Sequence, residues 1–223
     1  MKISKETLDI LKNFSNINPN LVVKGGNVIS TIAEAKNIMA SATVTEEFPK
    51  EFGIYDLNEF LSALSLIEDP DFEFGDDSVL IKSETSSLNY RYADSSILTS
   101  PQKEVNMPVS DLSITLTHDV INQIRRAGSA LGHSVVSIKS NGDGTIVAEI
   151  KDPNNSSAHT FSYIIKKNAE NVKCDFQLLI ANLKLISGNY DVDISSKLIS
   201  HWKATNSDIQ YWIALEKNSS FGV

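Results

Sequence analysis

LTHDVINQIRRAGSALG, from Leu116 to Gly132, is the stretch from which the fold is read. Thr117 stands where a helix N-cap accepts a hydrogen bond from its own first turn, and Gly132 stands where a helix closes through a left-handed residue. Ile121 and Ile124 fall on one side of the helix, and His118, Asn122, Arg125 and Ser129 on another. The start of the chain repeats this plan. Ser4 caps a segment whose Thr7, Ile10, Leu11 and Phe14 share one side, and Pro19 follows its end. One constant offset lays Ser4 on Thr117, Leu8 on Ile121, Leu11 on Ile124 and Lys12 on Arg125. Cap, apolar side and cation all keep their places.

The order of elements around these helices also repeats. In the first half NLVVKGGNVISTIAEA, residues 20–35, places two β-rich runs around Gly25 and Gly26, which predicts a hairpin. YDLNEFLSALSLI, Tyr55 to Ile67, then predicts a second helix on Leu57, Phe60, Leu61 and Leu64, leaving Asn58, Ser62 and Ser65 on another face. The strands VLIKSE and LNYRYA follow. In the second half HSVVSIKSNGDGTIVAEIKD predicts a hairpin turning at Asn-Gly-Asp-Gly, and HTFSYIIKK a further strand. FQLLIANLKLI, starting at Phe176, predicts a fourth helix, and NYDVDIS and IQYWIALE the last strands. A second offset pairs Leu57 with Phe176, Leu61 with Ile180, Leu64 with Leu183, Leu66 with Leu185 and Ile67 with Ile186. Between the halves TSPQKEVNMPVS, Thr99 to Ser110, has two prolines and no periodicity, as an extended connector has. The expectation is an α+β chain duplicated within itself, with domains 1–110, carrying the connector at its end, and 111–223.

Composition narrows the function. The 223 residues include 20 Lys and Arg against 28 Asp and Glu, a formal net charge of −8. That balance speaks against a nonspecific polyanion binder, unless the cations are gathered on one surface. One cysteine, Cys174, offers no internal disulfide, and its apolar neighbours suggest a buried, inert thiol. MKISKETLDILK is charged throughout and lacks the apolar run of a secretory signal. The apolar stretch from Phe176 to Ile186 is far short of the ~20 residues that span a bilayer. A cytoplasmic protein with no membrane partner is expected.

The cations are gathered in part. Lys2, Lys5 and Lys12 form a stripe on the first helix with Asp9 as its one acid, and His118, Asn122, Arg125 and Ser129, with Arg126 beside them, form another. Gln177, Ala181 and Lys184 fall on the expected fourth helix. Such stripes are most often solvated faces. As a functional surface they would hold phosphates without reading sequence, and the absence of aromatic residues among them argues against stacking on unpaired bases.

Catalytic and metal motifs are missing. His118, His133, His159 and His201 have no metal-ligand spacing, and the sequence holds no GxSxG, Walker loop or GxGxxG. In the acidic run Asp69, Asp71, Glu73, Asp76 and Asp77, the glycine falls one position late for a calcium loop, and Phe72 and Phe74 alternate through it. A strand edge or solvated loop is expected there, and no cofactor.

Ile54 to Ile67, IYDLNEFLSALSLI, resembles the second helix of the sliding clamps of T-even-type bacteriophages. LKNFSNIN near the start, GNY at Gly188 to Tyr190, and the terminal Tyr211, Ala214, Leu215 and Glu216 resemble the same family. The resemblance implies two domains per subunit and three subunits in a ring, with helices lining the hole and antiparallel sheets outside. The ring would encircle duplex DNA and tether the replicative DNA polymerase, in the cytoplasm of the infected bacterial host. It implies DNA-facing roles for Lys2, Lys5, Lys12, Arg125, Arg126 and Lys184, and a neutral stretch of lining at Asn58, Ser62 and Ser65. It also implies a pocket for peptides of the polymerase, the clamp loader and late-transcription factors beside Val105, Met107 and Pro108, with Tyr211 or Trp212. The alternatives are an acidic protein-binding scaffold without DNA contact, and an enzyme whose site is unrecognised.

Overall fold

The computed structural model describes residues 1–103, 105–155, 157–167, 169 and 172–222. The chain divides into two compact units, Met1–Glu104 and Val105–Val223.

The first unit opens with α1, Lys5–Ile17, capped by the Ser4 hydroxyl, which accepts from the Thr7 amide. The helix stops at Asn18, whose extended backbone is what a following proline imposes. Thr7, Ile10, Leu11, Phe14 and Ile17 are buried. Next come β1 (Leu21–Val23), β2 (Gly26–Ile32), β3 (Ile38–Phe48), β4 (Phe52–Ile54), α2 (Leu57–Leu64), β5 (Asp71–Phe74), β6 (Ser78–Lys82) and β7 (Ser87–Arg91). β5, β6 and β7 form an antiparallel sheet, so Asp71 and Glu73 of the acidic run lie on an edge strand while Asp69, Asp76 and Asp77 fall in the loops beside it. α1 packs on β3 and α2.

The hairpin expected at Gly25 and Gly26 does not form. β1 pairs with β4, and β2 with β3, so the two glycines carry the chain from one pairing to another. Gly26, at φ +100°, sits at a register irregularity in β2, a backbone conformation that a side chain resists.

The second unit holds β8 (Leu112–Leu116), α3 (His118–Leu131), β9 (Val135–Asn141), β10 (Ile146–Lys151), β11 (Phe161–Lys166), β12 (Lys173–Leu179), β13 (Tyr190–Ser195), β14 (Ile199–Ala204), β15 (Ile209–Ala214) and β16 (Ser220–Phe221). One sheet runs β11-β10-β9-β12-β16, and β8, β13, β14 and β15 lie side by side in another. Thr117 caps α3 by accepting from the Val120 amide, and Gly132 closes it at φ 68°. β9 and β10 form the expected hairpin, with Gly142 and Gly144 at positive φ in its turn.

The fourth helix is not there. Phe176 to Leu179 belong to β12, which pairs with β9 on one side and β16 on the other, and only a single 3-10 turn, Ile180–Asn182, follows. The run satisfies both periods. Phe176, Ile180 and Leu183 fall at helical spacing, while Cys174, Phe176 and Leu178 alternate, and pairing with strands on both sides decides for the alternating set, whose side chains are all buried. Among the described residues the α-helices number three. Cys174 lies inside β12, buried, and burial pushes its thiol up, away from thiolate chemistry.

α1 is tied to β3 by a carboxylate. Glu46 is 8 % exposed and accepts from the Ser4 amide and the Thr7 hydroxyl. Burial alone would raise its pKa, but the bonds from Thr7 and Ser4 outweigh this and hold it below the ordinary carboxylate value. A depressed folded-state pKa contributes stability above the unfolded value, and that stability is lost as pH falls through it. Glu46→Gln should therefore cost about 1–3 kcal/mol in urea unfolding at pH 7, and progressively less below roughly pH 4.

Candidate nucleic-acid interface

α1 buries one side, so its other side is set. Lys5, Glu6, Asp9, Lys12 and Asn16 are exposed. Lys12 lies 3.5 Å from Asp9, one turn away. Lys2 is not on the helix, since it precedes the Ser4 cap and pairs with Asp69 in the loop before β5. α2 has Asp56 as its cap and leaves Asn58, Glu59 and Ser62 exposed, so its outer face carries an acid beside the expected neutral groups.

α3 separates two arginines that the sequence had placed together. Arg126 is exposed. Arg125 is half-buried, and its guanidinium donates to the Leu183 carbonyl at 2.6 Å and to the Leu185 carbonyl at 3.4 Å. Burial lowers its pKa from the ordinary guanidinium value, while the neighbouring Tyr190 and Tyr211 hydroxyls oppose the change. Arg125 thus satisfies carbonyls of the segment after the 3-10 turn through one guanidinium nitrogen. Lys184 lies in that same segment, half-buried, and not on a helix. Asp119, in the first turn of α3, is a further exposed acid.

Gly128 explains how the Leu183 and Leu185 carbonyls come within reach. A Cβ there would lie 2.5 Å from the Ile180 Cδ1 and 3.1 Å from the His133 carbonyl oxygen, so only glycine lets α3 lie this close to the 3-10 turn.

Of the peptide-pocket residues, Val105, Met107 and Pro108 are half-buried in an irregular segment, beside Val109, which is 86 % exposed. Tyr211 is fully buried. Its hydroxyl accepts from the Ile186 amide, and the Tyr190 hydroxyl donates to the Ile186 carbonyl at 2.7 Å. Burial raises the Tyr190 pKa to about 12 and that of Tyr211 further still. Tyr211 is therefore a core residue. Trp212, next along β15, points to the opposite face, where His201 stacks on it at 4.9 Å and contacts Gln210. Of the pair, Tyr211 is closed off from solvent and Trp212 is half-buried.

One element was not legible in the sequence. Tyr163 of β11 stands beside α3 and closes a cleft of about 470 Å³ with Asp119, Asn122, Gln123, Arg125 and Arg126. An aromatic ring does accompany these charges, brought from a strand distant in sequence. Among the described residues no group of His, Cys, Asp and Glu is placed to hold a metal, and no helix is long and apolar enough to cross a membrane.

The architecture defines a class first. A PCNA of A. fulgidus, solved with the C-terminal region of FEN-1 bound, matches with a TM-score of 0.68 at 13% identity, covering 96% of this chain and 96% of that one. The DNA polymerase III subunit beta of Pseudomonas aeruginosa matches with a TM-score of 0.66 at 11% identity, over 98% of this chain and 64% of that one. The fold is thus the DNA-clamp fold. The family described as DNA polymerase processivity factor matches residues 4–99. The sliding clamp of Escherichia phage RB69 is 31% identical over 99% of each chain, and that of Vibrio phage KVP40 is 28% identical over 97% of this chain and 99% of the other. The chain belongs to the phage sliding-clamp family of DNA polymerase processivity factors.

The two arginines should behave oppositely. Arg125→Ala strands two backbone carbonyls and should lower the unfolding free energy by about 2 kcal/mol, whereas Arg126→Ala should stay within roughly 0.5 kcal/mol of the parent. Urea melts of both variants, read by tryptophan fluorescence, check this.

Proposed function

We propose that the protein acts as a closed ring of three copies, threaded on duplex DNA, which tethers the replicative polymerase and has no chemistry of its own. The observation that carries this reading is the set of cations left to solvent on the two long helices. Lys5, Lys12 and Arg126 are few, sit on faces that burial of the opposite side has fixed, and share those faces with Asp9 and Asp119. Point charges on flexible stems, partly offset by neighbouring acids, give weak contacts that exchange along equivalent phosphates. Such contacts suit sliding and cannot by themselves hold a protein on DNA. Retention must then come from topology.

Three copies of a duplicated chain, with domains 1–110 and 111–223, supply six domains for the ring. Each interface joins unlike edges and closes when every step turns by one-third. β7 and β11 are edge strands of their own sheets, and pairing them between copies would hide two exposed edges. Short peptides of the polymerase, the clamp loader and late-transcription factors would dock near Trp212, Val105, Met107 and Pro108, in the cytoplasm of the infected bacterial host. An acidic scaffold without DNA contact needs neither the ring nor the helix cations.

Three outcomes are expected. By native mass the protein should be three times one chain, and a strict monomer at micromolar concentration would leave the scaffold. Loaded on end-blocked DNA, the ring should persist, then leave within the dead time of mixing once that DNA is cut. Lys5→Ala, Lys12→Ala and Arg126→Ala together should keep fold and trimer, impair loading, and weaken the dependence of loading on salt. Unchanged retention after cutting would instead require a conventional binding surface.

A further inference from the structure

The cleft between α3 and β11 is built from groups that sequence keeps apart. β11 pairs only with β10 among the described strands, so it is an edge, and its Tyr163 lies across from Ala148, which is fully buried. Tyr163 therefore points to the side of the sheet that α3 covers, but stands at the rim, with 37 % of its surface exposed. Its ring forms one wall of the roughly 470 Å³ cleft, and α3 supplies the other through Asn122, Gln123 and Arg126, with Asp119 at the end nearer the helix start. That volume lies within the ~300–1,000 Å³ typical of small-ligand sites.

The chemistry of the wall selects among DNA ligands. A half-exposed ring offers a π-face, the Gln123 amide offers paired donor and acceptor groups, and the guanidinium offers a phosphate contact, while the Asn122 amide nitrogen is held by the His118 ring at 2.7 Å. A duplex could use only the last, because its bases present their faces to each other. An unpaired nucleotide could use all three. Asp119 would repel a second phosphate but accept from an exocyclic amino group. A tyrosine that merely shielded the flank of α3 would need none of these polar neighbours.

We propose that this cleft binds one unpaired nucleotide of single-stranded DNA, with its base stacked on Tyr163 and its phosphate held by Arg126. The proposal rests on the reading that α3 faces DNA. It gives the ring a contact that distinguishes a single-stranded segment from the duplex on which it slides.

The test uses the full chain in its ring state and a thymidine 12-mer carrying one internal 2-aminopurine, with a blunt duplex of equal length as control. The parent protein should quench the 2-aminopurine and bind the single strand more tightly than the duplex. Tyr163→Phe should preserve both effects. Tyr163→Leu, which keeps an apolar cover over α3 but removes the π-face, should abolish quenching and weaken single-strand binding roughly 5- to 100-fold. Arg126→Ala should weaken binding and lower the salt slope by about 0.7. Native mass of each variant and retention of each ring on blocked duplex separate this proposal from the ring itself. A parent ring that threads but never quenches overturns the proposal, whether or not the leucine variant assembles. So does a leucine variant that matches the parent, or one that loses duplex and single-strand binding equally. Quenching without threading would instead overturn the ring and leave the cleft.

Discussion

Each of the two long helices has one apolar side, and burying that side against a sheet decides which residues remain for function. α1 buries Thr7, Ile10, Leu11, Phe14 and Ile17, and α3 buries Val120, Ile121, Ile124, Ala127 and Gly128. A fully buried large aliphatic or aromatic side chain contributes about 1.5–3 kcal/mol, against roughly 0–1 kcal/mol for a surface ion pair. The rotation of each helix about its axis is therefore a property of the core, and the exposure of Lys5, Lys12 and Arg126 follows from it. The same constraint reaches Arg125. Because Gly128 has no side chain, α3 settles against Ile180, and the following carbonyls come within reach of the guanidinium one turn away.

Where local signals and tertiary packing agree, the fold is legible in the sequence. The Ser4 and Thr117 caps, Gly132, and the Asn-Gly-Asp-Gly turn act within a few residues, and each stands where its local chemistry requires. FQLLIANLKLI fails because an apolar run with two compatible periods is decided by its neighbours, and β9 and β16 were waiting on either side. NLVVKGGNV fails because turn residues announce a change of direction without naming the partner, and the partner of β1 is β4. The site is less legible for the same reason. Helical spacing gives one stripe to Arg125 and its neighbours, but only the position of the Leu183 carbonyl gives Arg125 its buried hydrogen bond. Alternation on β15 could have parted Tyr211 from Trp212 beforehand. Nothing local could have brought Tyr163 to α3.

Charge is also partitioned by the sheets. On one face of the β9, β10 and β12 strands, Lys139 and Lys151 meet Glu149 and Asp175 at 2.8–3.8 Å. Burial would raise the pKa of Asp175, but bonds from Lys151, Ser137 and Gln177 hold it below its ordinary value. In the first unit Lys82 of β6 pairs with Glu73 of β5, and Lys50 pairs with Asp76 between two connecting turns. Three of the 20 Lys and Arg in the chain, Lys82, Lys139 and Lys151, are thus engaged within the sheets, where opposite charges on facing strands favour the pairing.

What remains on the helices is a weak electrostatic surface on an acidic protein, and that weakness has a physical use in the proposed ring. Lys12 already has Asp9 within 3.5 Å, so a phosphate must compete with a neighbour that never leaves. Each exchange of phosphate for carboxylate then changes the free energy little, and the barrier between successive positions on DNA stays low. A denser or better isolated set of cations would raise affinity and that barrier together, because both scale with the same released counterions. Holding power and mobility can be separated only if different features supply them. Closure around the duplex supplies the first without any contact energy, which leaves the helix faces free to be poor binders.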